Sequence, residues 1–208
     1  MSVVIGVMHD EYMNARFVRA LMGLRTSRDI SGCLYVETGG GNLDRGRNQL
    51  VQLFLNEYED EWLLMLDTDM WFGLGHYDRL LESSEGRDIV SGLYFANERP
   101  PRPAMYRWDD TGHGKAIMDW KDHEILDVDG CGAGFLLVNR SVYEKMDHPD
   151  QYQGRAGSWF TQNALSPAGE LLNEDSSFCL RAQEHGYRIH VDTDVFVGHI
   201  KHRILGHE

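Results

Sequence analysis

Apolar and polar positions follow two different rhythms along this chain. Up to residue 67, short apolar runs alternate with helical spacings. "SVVIGV" (2–7) has the β-branched character of a strand, and "NARFVRALMGL" (14–24) sets Phe17, Ala20, Leu21 and Leu24 on one helical face. "CLYVE" (33–37) is a second short strand. "LDRGRNQLVQLFLNEY" (43–58) spaces Leu50, Val51, Phe54 and Leu55 as a helix does, and "EWLLMLD" (61–67) is an apolar run too short for a helix. Such alternation predicts a parallel α/β sheet.

After residue 87 the pattern becomes mixed. "DIVSGLYF" (88–95), "PAMYRW" (103–108), "KAIMDW" (115–120) and "GFLLVN" (134–139) are strand-like, with connections rich in Gly, Pro and Asp. "SVYEKM" (141–146) and "EDSSFCLRAQEHG" (174–186) read as helices, and "YRIHV" (187–191) and "VFVGH" (195–199) as two closing strands. The expectation is one α/β domain over 1–208, with a regular half (1–95) and a mixed half (96–208). No repeat at solenoid periods interrupts it. The segment 147–170, "DHPDQYQGRAGSWFTQNALSPAGE", is a long loop full of breakers, either a substrate-facing lid or a plain surface excursion.

Charge and composition narrow the class. Among 208 residues, 20 Lys and Arg face 33 Asp and Glu, a formal charge of -13. Broad capture of nucleic acid needs clustered cations, so this balance argues against it while leaving room for a local basic groove. The opening "MSVVIGVMHDEY" lacks the basic region of a signal peptide, and no run approaches a spanning helix. Cys33, Cys131 and Cys179 are sparse and carry no Cys-x-x-Cys, which reads as reduced thiols. A soluble cytoplasmic protein is the expectation.

The candidate chemistry lies in a tripeptide that occurs twice. Asp67-Thr68-Asp69 ends the apolar run "WLLML" and is followed by "MWF", where two like charges call for a cation. In open α/β sheets ligands sit beyond the carboxyl ends of strands, which is where this pair falls. Asp192-Thr193-Asp194 instead separates two short strand-like runs, so a turn is expected there. Asp175 falls in the first turn of a helix with Asn173 as a plausible N-cap; it is either a capping acid or an ionised general base. The glycines of "DGCGAGF", Gly132 among them, allow close approach of backbone to a donor sugar, or simply make a tight turn. Trp159 and Phe160 are candidates for stacking on an acceptor.

Taken in order, "LLMLDTDM", "DIVSGLYF", "DGCGAGFLLVNRSVYEKM" and "NEDSSFCLRAQEHGYRIHVDTDVFVGHIKH" resemble the GT-A-fold glycosyltransferases, most nearly the small family-2-like enzymes of bacteria and their phages. The resemblance implies a Rossmann-like nucleotide-binding fold with a mainly parallel sheet, residues 1–95 holding the nucleotide sugar and 96–208 the acceptor. It implies transfer of a sugar from a nucleotide-sugar donor, UDP-sugar favoured and GDP-sugar next, to a hydroxyl acceptor: protein, glycan or modified DNA base. It assigns Asp69 as direct ligand of a divalent metal, with Asp67 on the ion through water or on the ribose. His199 completes the metal shell, with His202 as its rival. Arg47, of an Arg-Asn pair, and Glu174 are placed with the donor, and a carboxylate of the Glu174-Asp175 stretch faces the acceptor. Enzymes of both stereochemical outcomes share these motifs; Asp175, sitting where a base would, favours inversion. Mixed oxygen and nitrogen ligands favour Mn²⁺ over Mg²⁺. A phage-encoded enzyme would work in the host cytoplasm.

Rival classes make different demands. A nucleotidyltransferase would carry a Gly-rich phosphate loop after its first strand, and "GVMHDEYMN" has none. A haloacid-dehalogenase-like phosphatase places its Asp-x-Asp near the N-terminus. A non-catalytic nucleotide- or carbohydrate-binding module would tolerate loss of the carboxylates that are present here.

Overall fold

Seven strands make the central sheet of the computed structural model, which describes residues 1–38, 41–96, 100–146, 151–156 and 159–201. They are β1 (Val3–His9), β2 (Ile30–Glu37), β3 (Trp62–Asp67), β4 (Ile89–Leu93), β5 (Ile125–Val128), β6 (Phe135–Asn139) and β7 (Ile189–Phe196). Their order across the sheet is β5-β7-β4-β6-β3-β1-β2. β1 is parallel to β2 and β3, and β4 is parallel to β7; β6 runs antiparallel between β3 and β4, and β5 antiparallel at the edge. The sheet is therefore mostly parallel, as the alternating first third predicts.

Helices cover both faces because the central strands are apolar on both. Val3, Ile5 and Val7 of β1 join one cluster with Phe17, Leu21 and Leu24 of α1 (Ala15–Leu24) and with Tyr77 and Leu80 of α3 (Leu74–Ser83). Val4 and Met8 point the other way, to Leu50, Val51 and Phe54 of α2 (Leu43–Glu57). The period-two alternation of a strand between two helix layers explains this division. α2 comes so close that a Cβ on Gly6 would meet Leu50 Cδ1 and Leu63 Cδ1 at 3.2 Å. α4 (Arg140–Lys145) and α5 (Glu174–Glu184) complete that layer, where Phe178 stacks on Phe160 at 4.6 Å.

Four local expectations change. The run 187–199 does not break into two strands at a turn: β7 continues through Asp192, Thr193 and Asp194. Its register against β4 jumps from Asp192–Gly92 to Phe196–Leu93, so the triplet forms a bulge on a continuous strand. β5 is an additional strand that escapes the apolar pattern because it is a short edge element with only Leu126 and Val128 buried. Of "KAIMDW" only Lys115 and Ala116 enter a strand, Gly114–Ala116, which joins Met105–Trp108 and Gly130–Cys131 in a small three-stranded sheet. Trp159 and Phe160, candidates for acceptor stacking, are core residues at 1% and 0% exposure.

The bulged triplet has a structural occupation. Asp192 is fully buried; its Oδ2 accepts from Arg79 Nε at 2.9 Å and from the Ser83 hydroxyl, both on α3. Asp194 accepts from the His123 backbone N–H at 3.1 Å and pairs with His123 Nδ1 at 2.8 Å. His123 sits at φ 63°, a left-handed conformation that these two contacts hold in place.

Candidate active site

The first triplet lies at the carboxyl end of β3, where the chain leaves the sheet. The Asp67 N–H still donates to Gly134 O at 3.0 Å, and Met70–Trp71 then pairs antiparallel with Gly198–His199. The Ile200 N–H donates to Asp69 O at 2.7 Å, so the segment after β7 is stitched beside the triplet. That ladder brings His199 Nε2 to 3.1 Å from Asp69 Oδ2, and Lys201 Nζ to 2.6 Å from the same oxygen. His199 Nδ1 faces Phe95 O at 2.6 Å, and a carbonyl only accepts, so Nδ1 carries a proton. The edge-to-face contact with Tyr94 at 5.5 Å further fixes the ring. Burial pushes the Asp69 carboxyl up, but the hydrogen bonds and charges of His199 and Lys201 outweigh it and hold it down at about 2.

Arg47, on the second turn of α2, is the charge centre of the site. It is 1% exposed, and its guanidinium makes two contacts to Asp67, at 3.2 and 3.3 Å. Nε lies 2.9 Å from Asp175 Oδ1 and 3.7 Å from Glu174 Oε1. Burial opposes its charge, yet the three carboxylates outweigh that and keep it fully protonated. One cation among three acids leaves an excess of negative charge, which raises the carboxyls with least water. Burial first, then the Asp175 charge, pushes Glu174 up to about 7 against the opposing pull of Arg47. Asp175 is raised as well, chiefly by burial, although Arg47 and the Ala133 N–H at 3.0 Å favour its ionised form.

The sequence accounts for how these acids are presented. Asn173 caps α5, its side chain accepting from Ser176 N at 2.9 Å, which places Glu174 and Asp175 in the first turn. Gln162 Nε2 donates to Glu174 Oε2 at 2.7 Å. Asn48, beside Arg47, accepts from Trp159 N and Phe160 N and donates to Phe160 O at 2.8 Å, tying α2 to the segment that leads toward α5. At Gly132 the reason for glycine is a neighbour: a Cβ there would come within 1.9 Å of the Tyr94 hydroxyl, which accepts from Gly134 N at 3.1 Å.

Arg47, Asp67, Asp69, Gly132, Glu174, Asp175 and His199, all named from the sequence, line one cleft of about 810 Å³. Tyr106, Trp108, Leu171, Leu172 and Ser176 also line it, with His9, Asp10 and Thr38 at the ends of β1 and β2. The structure adds Tyr94 and Lys201, which the sequence reading did not select. Lys201 had a local signal in "GHIKH", where a cation stands two residues after the candidate ligand. His202, the alternative to His199, lies outside the described residues. The same is true of 147–150 and 157–158 in the candidate lid; its last residue, Glu170, borders the cleft, as do Leu171 and Leu172 just beyond it. Among the described residues, no three His, Cys, Asp or Glu side chains converge as a ready metal cluster, and no helix is long and apolar enough to cross a membrane.

Comparison with known proteins bears on the fold. No family model matches the sequence, and no curated protein matches it. Among solved structures the chain is similar to A197 from STIV, with a TM-score of 0.60 and 18% identity over 100% of this chain and 98% of that one. It is also similar to GalNAc-T7 with UDP, GalNAc and Mn²⁺, with a TM-score of 0.63 and 11% identity, covering 96% of this chain and 44% of that one. At these identities the likeness is one of architecture. The GT-A-like α/β fold expected from the sequence is the fold that the chain has.

Proposed function

We propose that this protein is a metal-dependent glycosyltransferase that uses a nucleotide sugar, with UDP-sugar the favoured donor and inversion the favoured outcome. The observation that carries the reading is the placement of Asp67 and Asp69 at the carboxyl end of β3, in the same cleft as Asp175. A solved glycosyltransferase of like architecture holds UDP and Mn²⁺, which supports both the donor class and the ion.

The residues present fit a divalent ion. With Nδ1–H of His199 committed to Phe95 O, Nε2, hydrogen-bonded to Asp69 Oδ2 at 3.1 Å, is the nitrogen that would ligate, an ion taking the place of the proton between them. Asp69 and His199 would hold the ion. Asp67, engaged on both oxygens by Arg47, is better suited to a water-mediated or ribose contact. A bound ion supplies Lewis-acid stabilisation of the departing diphosphate. The remaining work falls to the chain. Arg47 favours the ionised form of Asp175, the Ala133 N–H orients its carboxylate, and Asp175 takes the proton of the acceptor hydroxyl. Tyr106 and Trp108, which line the same cleft, bound the space for that acceptor.

The test is a thermal-shift and calorimetric panel of UDP-, GDP-, ADP- and TDP-sugars with and without Mn²⁺. Selective stabilisation by a UDP-sugar that requires Mn²⁺ is expected, since a ligand that binds only the folded state stabilises it by mass action. Stabilisation by no sugar nucleotide under either condition overturns the reading.

A further inference from the structure

Lys201 is a cation of this cleft that the proposed reaction does not use. Its Nζ lies 2.6 Å from Asp69 Oδ2, on the oxygen that also faces His199 Nε2. Its position is built in. The Gly198–His199 ladder and the Ile200 N–H to Asp69 O bond hold the backbone one residue away, so the ammonium is presented to Asp69 at high effective concentration. A second cation of the same cleft, Arg102, comes from a different element, the short strand Arg102–Pro103.

We infer that Lys201 is an intramolecular occupant of the divalent-ion position: its ammonium neutralises Asp69 until the ion displaces it. This rests on the proposed metal site at Asp69 and His199. A divalent ion brought to Asp69 Oδ2 is repelled by an ammonium held 2.6 Å from the same oxygen, so the two compete for that carboxylate. The ion must therefore win against a tethered competitor, and its apparent affinity falls by the fraction of protein in which Asp69 is occupied. The pair is partly exposed, with side-chain exposures of 35% and 38%, so the competition is modest. The coupling is reciprocal: bound ion frees Lys201.

The experiment is titration of the full chain with Mn²⁺ alone, followed calorimetrically and by the paramagnetic signal of free Mn²⁺. Wild type, Lys201→Met, Arg102→Met and His199→Ala are compared. Lys201→Met should bind Mn²⁺ roughly two- to fivefold more tightly, the range for releasing an exposed ion pair. Arg102→Met should change affinity less, and His199→Ala should weaken it. Unchanged or weaker binding by Lys201→Met, with wild type still binding Mn²⁺, overturns the occupant role and leaves the metal site standing. Equal tightening by Lys201→Met and Arg102→Met also overturns it, because the effect is then general charge. Absence of Mn²⁺ binding by every variant overturns both the inference and the metal assignment beneath it.

Discussion

Asp67-Thr68-Asp69 and Asp192-Thr193-Asp194 are the same tripeptide in two environments. The first ends its strand, keeps Asp67 and Asp69 part-exposed at 28% and 38%, and opens on a cleft. The second is carried through a bulge inside a strand, with Asp192 fully buried beneath Arg79 and Ser83. Both copies have their charge met by the protein, yet only the first could exchange a partner for a ligand without opening the core. Ligand chemistry depends on what a carboxylate can give up. Asp69 can release an exposed lysine, whereas Asp192 would have to release its structural anchor.

The sharpest way to break this contrast is a pair of alanine substitutions. Asp69→Ala should abolish Mn²⁺-dependent nucleotide binding, a loss beyond the roughly 10–100-fold typical of residues that merely support a metal ligand. Asp192→Ala should leave that binding near wild type and instead lower stability by roughly 2–4 kcal/mol, as buried polar partners lose their acceptor. Calorimetric titration and urea unfolding on both variants decide it; equal binding losses would erase the distinction. Asp175→Asn sharpens the contrast by separating chemistry from donor binding. Transfer should fall by roughly 10²–10⁴, with nucleotide affinity within a few-fold of wild type. A folded variant with near-normal transfer would remove Asp175 as the base.

Smaller effects refine the first triplet. His199→Ala removes a ligand and should weaken Mn²⁺-assisted nucleotide binding by at least the roughly 10–100-fold of a lost supporting partner, while the remaining carboxylates keep some binding. Glu174 sets a pH signature. Its carboxyl is raised from 4.5 to about 7 in the folded protein, so the folded state holds a proton that the unfolded state releases. Its contribution to stability is therefore complete below pH 4.5 and lost as the pH rises through about 7. Glu174→Gln should remove that slope. It should melt a few degrees above wild type at pH 8, at roughly 2–4 °C per kcal/mol, and close to wild type at pH 4. A parallel offset at both pH values would assign the effect to packing.

How much was legible in the sequence follows from how local each signal is. β1, α1, α2 and β3 show themselves because each satisfies one period over enough residues, as Phe17, Leu21 and Leu24 do. The cleft was legible because strand ends and helix caps are local features that carry side chains to predictable places. The bulge at Asp192 was not, since its partners Arg79 and Ser83 lie more than a hundred residues earlier in the chain. Arg47 could be chosen as a site residue, but its attachment to Asp67, Asp175 and Glu174 depends on three elements meeting. Trp159 misled because an aromatic beside breakers reads as surface, whereas its indole donates to Tyr143 O in the core.

The insertion of β6 between β3 and β4 also has a consequence for the nascent chain. Emerging from its N-terminus, the protein makes β1, β2 and β3 as a ready parallel trio. β4 follows with no sheet neighbour yet in existence, because both of its partners, β6 and β7, are encoded later. Until residue 139 is available, β3 keeps one bare edge and β4 two, each a template for pairing with a foreign strand. Pairings so distant in sequence form slowly, since loop closure precedes their reward. Residues 1–95 expressed alone should accumulate as aggregate, and residues 96–208 supplied during refolding should rescue them by contributing β6 and β7.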